Sequence, residues 1–400
     1  MLSPESAAVV RATAPVVAEN AVEITSRFYP AMFKAHPELL RVFNQGNQAT
    51  GDQRKALAAS VVAYAVQLID PEAPSFAPIL ARIAHKHISL GIRPEQYTVV
   101  GRFLMGAIVD VLGDAVTPEV AQAWDEVYWL FAAQLIAEEA RLYTLAGVDP
   151  AVPWREFTVS ERIEEASDVV TLVLAPTDGK PVPAHRPGQY ISVAVDLPDG
   201  GRQPRQYTVS TGPREQTQQI TVRRERGVDG LPDGVVSSFL FDHVDVGSLL
   251  DVGMLAGDVV LEAGDDPLLL ISAGVGITPI AAILDVVAGR TPDRVVTTAH
   301  ADRSSSRHAL REAVEVSGQS LSNLTTHTWY ESLDAQELDR AARVGLMDLS
   351  LIEVPDNAEV FMCGPLPFMR DARRALIGRG VPSSRIRYEV FGPDMLGGAA

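Results

Sequence analysis

The stretch ARIAHKHISLGIRPEQY, residues 81–97, carries two histidines one lysine apart, His85 and His87. An imidazole can shuttle protons or donate a lone pair to a metal. On a helix, residues two apart point about 200° apart, so the two rings cannot share a face. Ile79, Leu80, Ile83, Ala84 and Leu90 mark the apolar side. Steps of three and four from Leu80 through Ile83 and Ala84 land on position 87. His87 is therefore expected to be buried and His85 to be solvated. A buried histidine has two readings: a core imidazole satisfied by one hydrogen bond, or a ligand. It cannot alone complete the four ligands that zinc wants. It can complete haem iron, because the porphyrin supplies four nitrogens.

A haem slot also needs apolar and aromatic walls. The stretch SRFYPAMFKAHPELLRVFNQGNQATGDQRKAL (26–57) offers Tyr29 before Pro30, flanked by Phe28 and Phe33, then Phe43 at a helix end. Gln53 and Leu57 are four apart and share a helix face. Further along, Glu139 continues the inner stripe Trp124, Tyr128, Phe131, Leu135, and Glu138 beside it is less well aligned. A carboxylate on such a stripe wants a partner, since an unpaired buried charge is costly. Tyr97 reads, on spacing alone, as an ordinary core tyrosine.

A second group of residues suits phosphates and flat rings. RQYTVS (205–210) lies on an expected strand, with RPGQY before it ending at Tyr190. GVVSSFLFDHV (234–244) places Ser237 and Ser238 at a helix start behind a glycine, an anion site suited to a pyrophosphate. ISAGVGITPI (271–280) reads as a buried strand, a G-x-G-x-x-P turn and a helix with Thr278 as cap and Pro279 in its first turn. CGPLPFM begins at Cys363, which on its own is a small buried residue at a strand end. HADRSSSRH (300–308) has Arg303, Arg307 and hydroxyls that either read a ribose phosphate, favouring NADPH, or line a solvated loop.

The elements that must position these groups fall into three textures. Residues 1–147 are helical throughout, opening with Ser3 as N-cap and Pro4 in the first turn, and closing at Gly147. From Trp154, short β-branched runs separated by Gly, Pro and Asp suggest an antiparallel barrel or sandwich. From about residue 266, strands alternate with helices, as in a parallel α/β domain. The uncharged run 267–284 approaches the length of a membrane span, but Gly274, Gly276 and Pro279 in its middle favour a strand, a turn and a helix. At 400 residues the chain needs two or three cores. Its formal charge of −17 disfavours nucleic acid as a partner. A single cysteine excludes an internal disulfide and fits a reducing cytosol. No basic region followed by an apolar stretch opens the chain, so no signal peptide is expected.

The helical segments resemble the globin domain of the bacterial flavohaemoglobins, the nitric oxide dioxygenases. That resemblance implies His87, preceded by Lys86, as the proximal iron ligand. It implies Tyr29 and Gln53 as distal groups, Leu57 and Phe43 as pocket residues, and Tyr97 with Glu139 as a relay acting on the histidine. The rest resembles the ferredoxin–NADP reductase superfamily. Arg205, Tyr207 and Thr208 match its R-x-Y-S flavin motif with Thr for Ser, and Tyr190 and Gln206 match flavin contacts. The flavin pyrophosphate turn matches Gly234, Val236 and Ser237. The nicotinamide nucleotide turn matches Gly274, Val275, Gly276, Ile277, Thr278 and Pro279, with Ile277 where many relatives carry Gln. Cys363, Gly364 and Pro365 match the C-G-P motif. Glu389, Val390, Phe391, Gly392 and Pro393 match the stretch against the flavin on its haem side.

The implied architecture is multidomain: an all-α globin domain at 1–147, an antiparallel β-barrel FAD domain at 151–262, and an α/β NAD(P)H-binding domain at 266–400. The implied cofactors are haem b, FAD and NAD(P)H. A nicotinamide delivers two electrons as hydride, haem iron takes one at a time, and FAD converts between them. The implied reaction turns nitric oxide and dioxygen into nitrate in a cytoplasmic monomer. The alternatives are a dioxygen or nitric oxide sensor, disfavoured by the lack of an output domain, and an NAD(P)H-dependent flavin or hydroperoxide reductase.

Overall fold

The computed structural model describes residues 2–41, 52–197, 201–227, 233–333 and 342–391, with the side chains of 41 and 52–54 outside that set. The described residues form two compact units. One holds the chain up to Trp154 with Asp196–Pro204, the other Arg155–Val195 with Arg205–Phe391.

The first unit is helical. Helix α1 (Pro4–Ala35) starts where Ser3 Oγ accepts from the Ser6 N–H, with proline at the first position. Ser3 also donates from its backbone N–H and its hydroxyl to Glu126 at 2.7 and 2.8 Å, which ties α1 to the last helix of the unit. Helices α2 (Asp52–Ile69), α3 (Ala77–Leu90), α4 (Pro94–Leu112) and α5 (Pro118–Ala146) follow. Gly91 ends α3 and Gly147 ends α5, both left-handed at φ +71° and +65°, which glycine adopts without steric penalty. Helix α1 packs on α2, α4 and α5, and α3 packs on α5. Trp124, Val127, Phe131 and Leu135 of α5 lie in the core. The Phe131 ring meets Tyr64 at 5.0 Å and Phe76 at 5.6 Å. Burying each such side chain contributes about 1.5–3 kcal/mol.

The second unit contains both sheets. Strands β1 (Trp154–Ala166), β2 (Val169–Pro176), β3 (Tyr190–Asp196), β4 (Arg202–Thr208), β5 (Gln218–Arg223) and β6 (Leu249–Gly253) form an antiparallel sheet in the order β4-β3-β6-β1-β2-β5. A bridge between Val209 and Ile220 joins the two outer strands, so the sheet closes on itself as the β-branched texture suggested. Helix α6 (Val235–His243) lies between β5 and β6 in sequence.

Strands β7 (Leu268–Ala273), β8 (Val295–Asp302), β9 (Asn323–Tyr330), β10 (Arg343–Val344), β11 (Glu359–Cys363) and β12 (Ile386–Glu389) form a parallel sheet in the order β10-β9-β8-β7-β11-β12. Helices α7 (Ile277–Arg290), α8 (Arg311–Gln319) and α9 (Leu366–Gly378) connect its strands. The strand order reverses between β7 and β11. That switch point is where open α/β sheets bind ligands, outside the carboxyl ends of the strands. β6, β9, β10 and β12 were not legible as strands. β9 reads NLTTHTWY, with polar residues at half-exposed positions that blur the apolar pattern.

The run 267–284 is a strand, a 3₁₀ turn and a helix, as expected. Among the described residues, no helix is long and apolar enough to cross a membrane. The cap of α7 needs correction. Gly276 is the N-cap, and Thr278 already lies inside the helix with its hydroxyl donating back to the Val275 carbonyl at 3.0 Å. The 3₁₀ turn Gly274–Gly276 starts the helical winding before the threonine is reached.

Candidate functional site

His87 sits in the last turn of α3, and its neighbours decide its chemistry. Its Nδ1 is 2.8 Å from Tyr97 Oη on α4 and 2.8 Å from Glu139 Oε1 on α5. Tyr97 donates its own proton to the same Glu139 oxygen at 2.5 Å. Both oxygens facing Nδ1 are thus left to accept, which places the imidazole proton on Nδ1. The lone pair is on Nε2. A neutral imidazole with Nδ1–H held by a carboxylate is the form in which a histidine binds a metal, and the carboxylate strengthens its donation. The donor set therefore fits an axial haem ligand.

The supports run outward from there. Tyr128 donates to the Tyr97 carbonyl at 2.5 Å, and Tyr143 donates to the Ile88 carbonyl at 3.3 Å. Burial first, then the Glu139 carboxylate, pushes the Tyr97 hydroxyl well above the usual phenol range, so it stays a donor. Burial also pushes Tyr143 up to about 12. Glu139 is 3% exposed and its Oε2 is buried without a hydrogen-bond partner. Leaving such an atom unpaired costs roughly 1–3 kcal/mol. Glu138 instead faces outward to Arg141. Of the two adjacent glutamates, only Glu139 reaches the histidine, as its stripe position implied.

The expected contrast in burial between the histidines does not hold. The His87 side chain is 30% exposed, and His85 is also half-buried. The fully buried positions of α3 are Ala84, Ile88 and Ser89, one step round from the stripe read in the sequence. What marks His87 is its pairing with Tyr97 and Glu139, not its burial.

Tyr29 is 4% exposed, its ring 4.7 Å from Phe28 and 5.8 Å from Phe33. Leu57 packs against the same helical core. Lys86 is half-buried. Phe43, the side chain of Gln53, Gly392 and Pro393 lie outside the described residues.

In the second unit, Arg205 and Tyr207 are two apart on β4 and share a face, while Thr208 on the other face is 5% exposed. Burial lowers the Arg205 pKa and raises that of Tyr207. Gln206, between them, is half-buried. Tyr190 is 6% exposed on β3. At the start of α6, Gly234 is the N-cap and Val236 is buried. Ser237 is already committed: its hydroxyl accepts from the Glu225 N–H and donates to the Gly234 carbonyl, both at 3.1 Å. Ser238 Oγ is the buried hydroxyl with no hydrogen-bond partner. Of the pair at this helix start, Ser237 is held by its own turn and Ser238 Oγ is buried.

At the switch point, the Gly274–Gly276 turn follows β7 and Cys363 ends β11. Gly276 is pressed against the Cys363 carbonyl, and any Cβ there would collide with it. Gly364 packs less tightly, on Phe368 and Ala273. Cys363 is 1% exposed, and burial first, then Glu389, raises its thiol pKa. Glu389 pairs in register with Cys363 on β12. A small cavity is lined by Gly188, Pro279, Cys363 and Glu389, among others. Val275 is the middle residue of the turn, and Ile277, which follows it, is buried. Pro365 caps α9. Val390 is half-buried and Phe391 is 48% exposed. In the β8 loop, Arg307 is engaged by Asp168 at 3.1 Å and Arg303 is exposed, so the two arginines are held apart in role. Two charged residues here were not singled out from sequence, Asp302 at the end of β8 and Arg223 at the end of β5. Neither belongs to a motif, because they meet only when the two sheets pack.

The globin family model matches residues 26–135, and the oxidoreductase NAD-binding domain model matches residues 270–374. A flavohemoprotein of Rhizobium meliloti is 40% identical over 407 residues, covering 99% of both chains. The crystal structure of flavohemoglobin from Malassezia yamatoensis, with bound FAD and heme, is 35% identical with a TM-score of 0.87, covering 98% of this chain and all of that one. The flavohem-like FAD/NAD-binding domain of nitric oxide dioxygenase from Vibrio cholerae is 33% identical with a TM-score of 0.55, covering 60% of this chain and 99% of that one.

Proposed function

Because the chain belongs to the flavohemoprotein family, we propose that it is a nitric oxide dioxygenase, converting nitric oxide and dioxygen to nitrate with electrons from NAD(P)H. It is an oxidoreductase with a globin part, an antiparallel-sheet flavin part and a parallel-sheet nucleotide part. On this reading the three parts run over 1–147, 151–262 and 266–400, in a cytoplasmic monomer. Haem b supplies the one-electron centre for the gas reaction and FAD supplies the conversion from hydride to single electrons.

The protein's own groups do the rest. His87 offers Nε2 to the iron, with Nδ1–H fixed by Tyr97 and Glu139. Tyr29 and Gln53 are the polar donors for dioxygen, Leu57 and Phe43 restrict the space around it, and Lys86 flanks the ligand. Tyr190, Arg205, Gln206, Tyr207 and Thr208 would hold the flavin ring, and the Gly234–Ser237 turn its pyrophosphate. Glu389, Val390 and Phe391 would border the flavin, the stretch continuing in sequence to Gly392 and Pro393. Gly274–Pro279 take the nicotinamide nucleotide's phosphates, and Cys363, Gly364 and Pro365 border its ring.

The observation that carries this reading is the closed His87–Tyr97–Glu139 triangle, which exceeds what a merely stored haem needs. A carboxylate-charged proximal histidine favours transfer of electron density toward the bound gas. The test is steady-state NAD(P)H oxidation by the haem- and FAD-loaded chain under dioxygen. Adding nitric oxide accelerates oxidation and yields stoichiometric nitrate. A rate indifferent to nitric oxide rejects the dioxygenase in favour of a flavin reductase.

A further inference from the structure

The tip of the β1–β2 hairpin belongs to the antiparallel sheet but grips the loop that follows β8. Ala166 pairs with Val169, so Ser167 and Asp168 form the turn. Val169 shares a buried cluster with Leu268, Ala309 and Leu310. The Asp168 backbone is fixed, its carbonyl accepting from the Arg224 N–H at 2.8 Å. Its Oδ2 lies 3.1 Å from Arg307 Nη1, and its Oδ1 is buried without a hydrogen-bond partner. Glu165, on the same hairpin, accepts from the Thr171 hydroxyl at 2.8 Å and from the Leu310 N–H at 2.9 Å. Leu310 is 1% exposed with φ +57°, a left-handed conformation that leucine keeps only where its surroundings impose it. The hairpin therefore holds the loop at two points, the Arg307 guanidinium and the Leu310 backbone.

Ala273 pairs with Ala301, so Asp302 stands level with Gly274 on the neighbouring strand. In dinucleotide folds the end of that strand meets the adenosine ribose. A carboxylate there accepts from a 2′-hydroxyl, and a nearby arginine accommodates a 2′-phosphate. Here the arginines are spent. Arg223 is paired with Asp302, Arg307 with Asp168 and Arg311 with Glu315. Arg303 is exposed, where a single charge contributes little. A phosphate monoester brings a charge of about −2, and Asp302, Asp168 and Glu165 already place three carboxylates around this loop.

We infer that Asp168 is a specificity-determining residue for the electron donor: it withdraws Arg307 from a 2′-phosphate, so that the chain takes NADH in preference to NADPH. The inference rests on the reading of Gly274–Pro279 as the dinucleotide turn. It places the choice between the two donors on a hairpin of the flavin sheet, outside every motif of the nucleotide domain.

The experiment is steady-state oxidation of NADH, and separately NADPH, by the chain loaded with haem and FAD, with ferricyanide as electron acceptor. The parent chain shows the higher kcat/KM with NADH. Asp168→Asn keeps the turn and removes the charge. It raises kcat/KM for NADPH about tenfold through a lower KM, the scale of one charge-assisted hydrogen bond gained. The value for NADH and the flavin content stay as in the parent. Asp168→Ser gives the same shift, and adding Arg307→Met to either variant abolishes it. A parent chain that favours NADPH overturns the inference. So do variants whose ratio of the two values is unchanged, because Asp168 then only supports the loop. Both results leave the dinucleotide turn standing. A parent chain that oxidises neither nucleotide removes the turn itself and the inference with it.

Discussion

At the scale of single residues, the chemistry turns on where protons sit. His85 and His87 are the same side chain on the same helix and are both half-buried. His87 has its Nδ1 held by a tyrosine and a carboxylate. Replacing His87 by alanine therefore removes stable haem retention, read as loss of the Soret band after gel filtration of the haem-reconstituted protein. His85→Ala retains it. Equal retention by both variants would mean that iron is bound elsewhere. Much of this was legible: helical phase selected His87 over His85, and the stripe selected Glu139 over Glu138. The criterion was nevertheless wrong, since burial does not distinguish the histidines.

At the scale of elements, close approach matters more than propensity. Gly101 on α4 lies directly under the Tyr128 ring on α5, and a Cβ there would overlap that ring. Tyr128 in turn fixes the carbonyl of Tyr97. Gly101→Ala should therefore cost about 1–3 kcal/mol despite alanine's better helix propensity, because overpacking outweighs it. It should also shift the iron–histidine stretching band in the resonance Raman spectrum of the reduced protein by displacing Tyr97. A stabilised helical unit with an unmoved band would show that α5 accommodates the methyl group freely. Glycines with a covered face cannot be told from turn glycines by sequence. Gly101 and Gly276 are both needed for bareness and neither has positive φ, whereas Gly91 and Gly147 are needed for conformation.

At the scale of the whole molecule, the packing of two sheets in one unit creates charge relations that no single segment contains. His300 and His308 stack at 4.0 Å near the ends of β8 and its loop, facing Ser272, Asp302 and Tyr330, with Arg223 and Arg311 nearby. Burial lowers the pKa of both, His308 to about 2. Between that value and the ordinary 6.5, the unfolded chain binds protons that the folded chain refuses. Stability is therefore full above about pH 6.5 and falls as pH drops below it, by up to about 1.4 kcal/mol per pH unit for His308, with His300 acting in the same direction. Melting of the reductase unit followed from pH 7.5 to 5 should show a plateau and then a decline. His308→Gln, which keeps a partner for Tyr330, should reduce the slope. An unaltered slope would assign the acid sensitivity to other groups.

Periodicity and local chemistry sufficed for the order of three textures, the caps at Ser3 and Gly147 and the glycine turn after β7, because each depends on residues a few positions apart. The triangle of His87, Tyr97 and Glu139 spans 52 residues, and the stripe could supply only a carboxylate in need of a partner. Arg223 and Asp302 are 79 residues apart, in different sheets, and nothing local marks either one. Tertiary structure alone decided these, because an ion pair or a bare glycine face is defined by what the fold brings against it, and that partner is unconstrained in sequence distance.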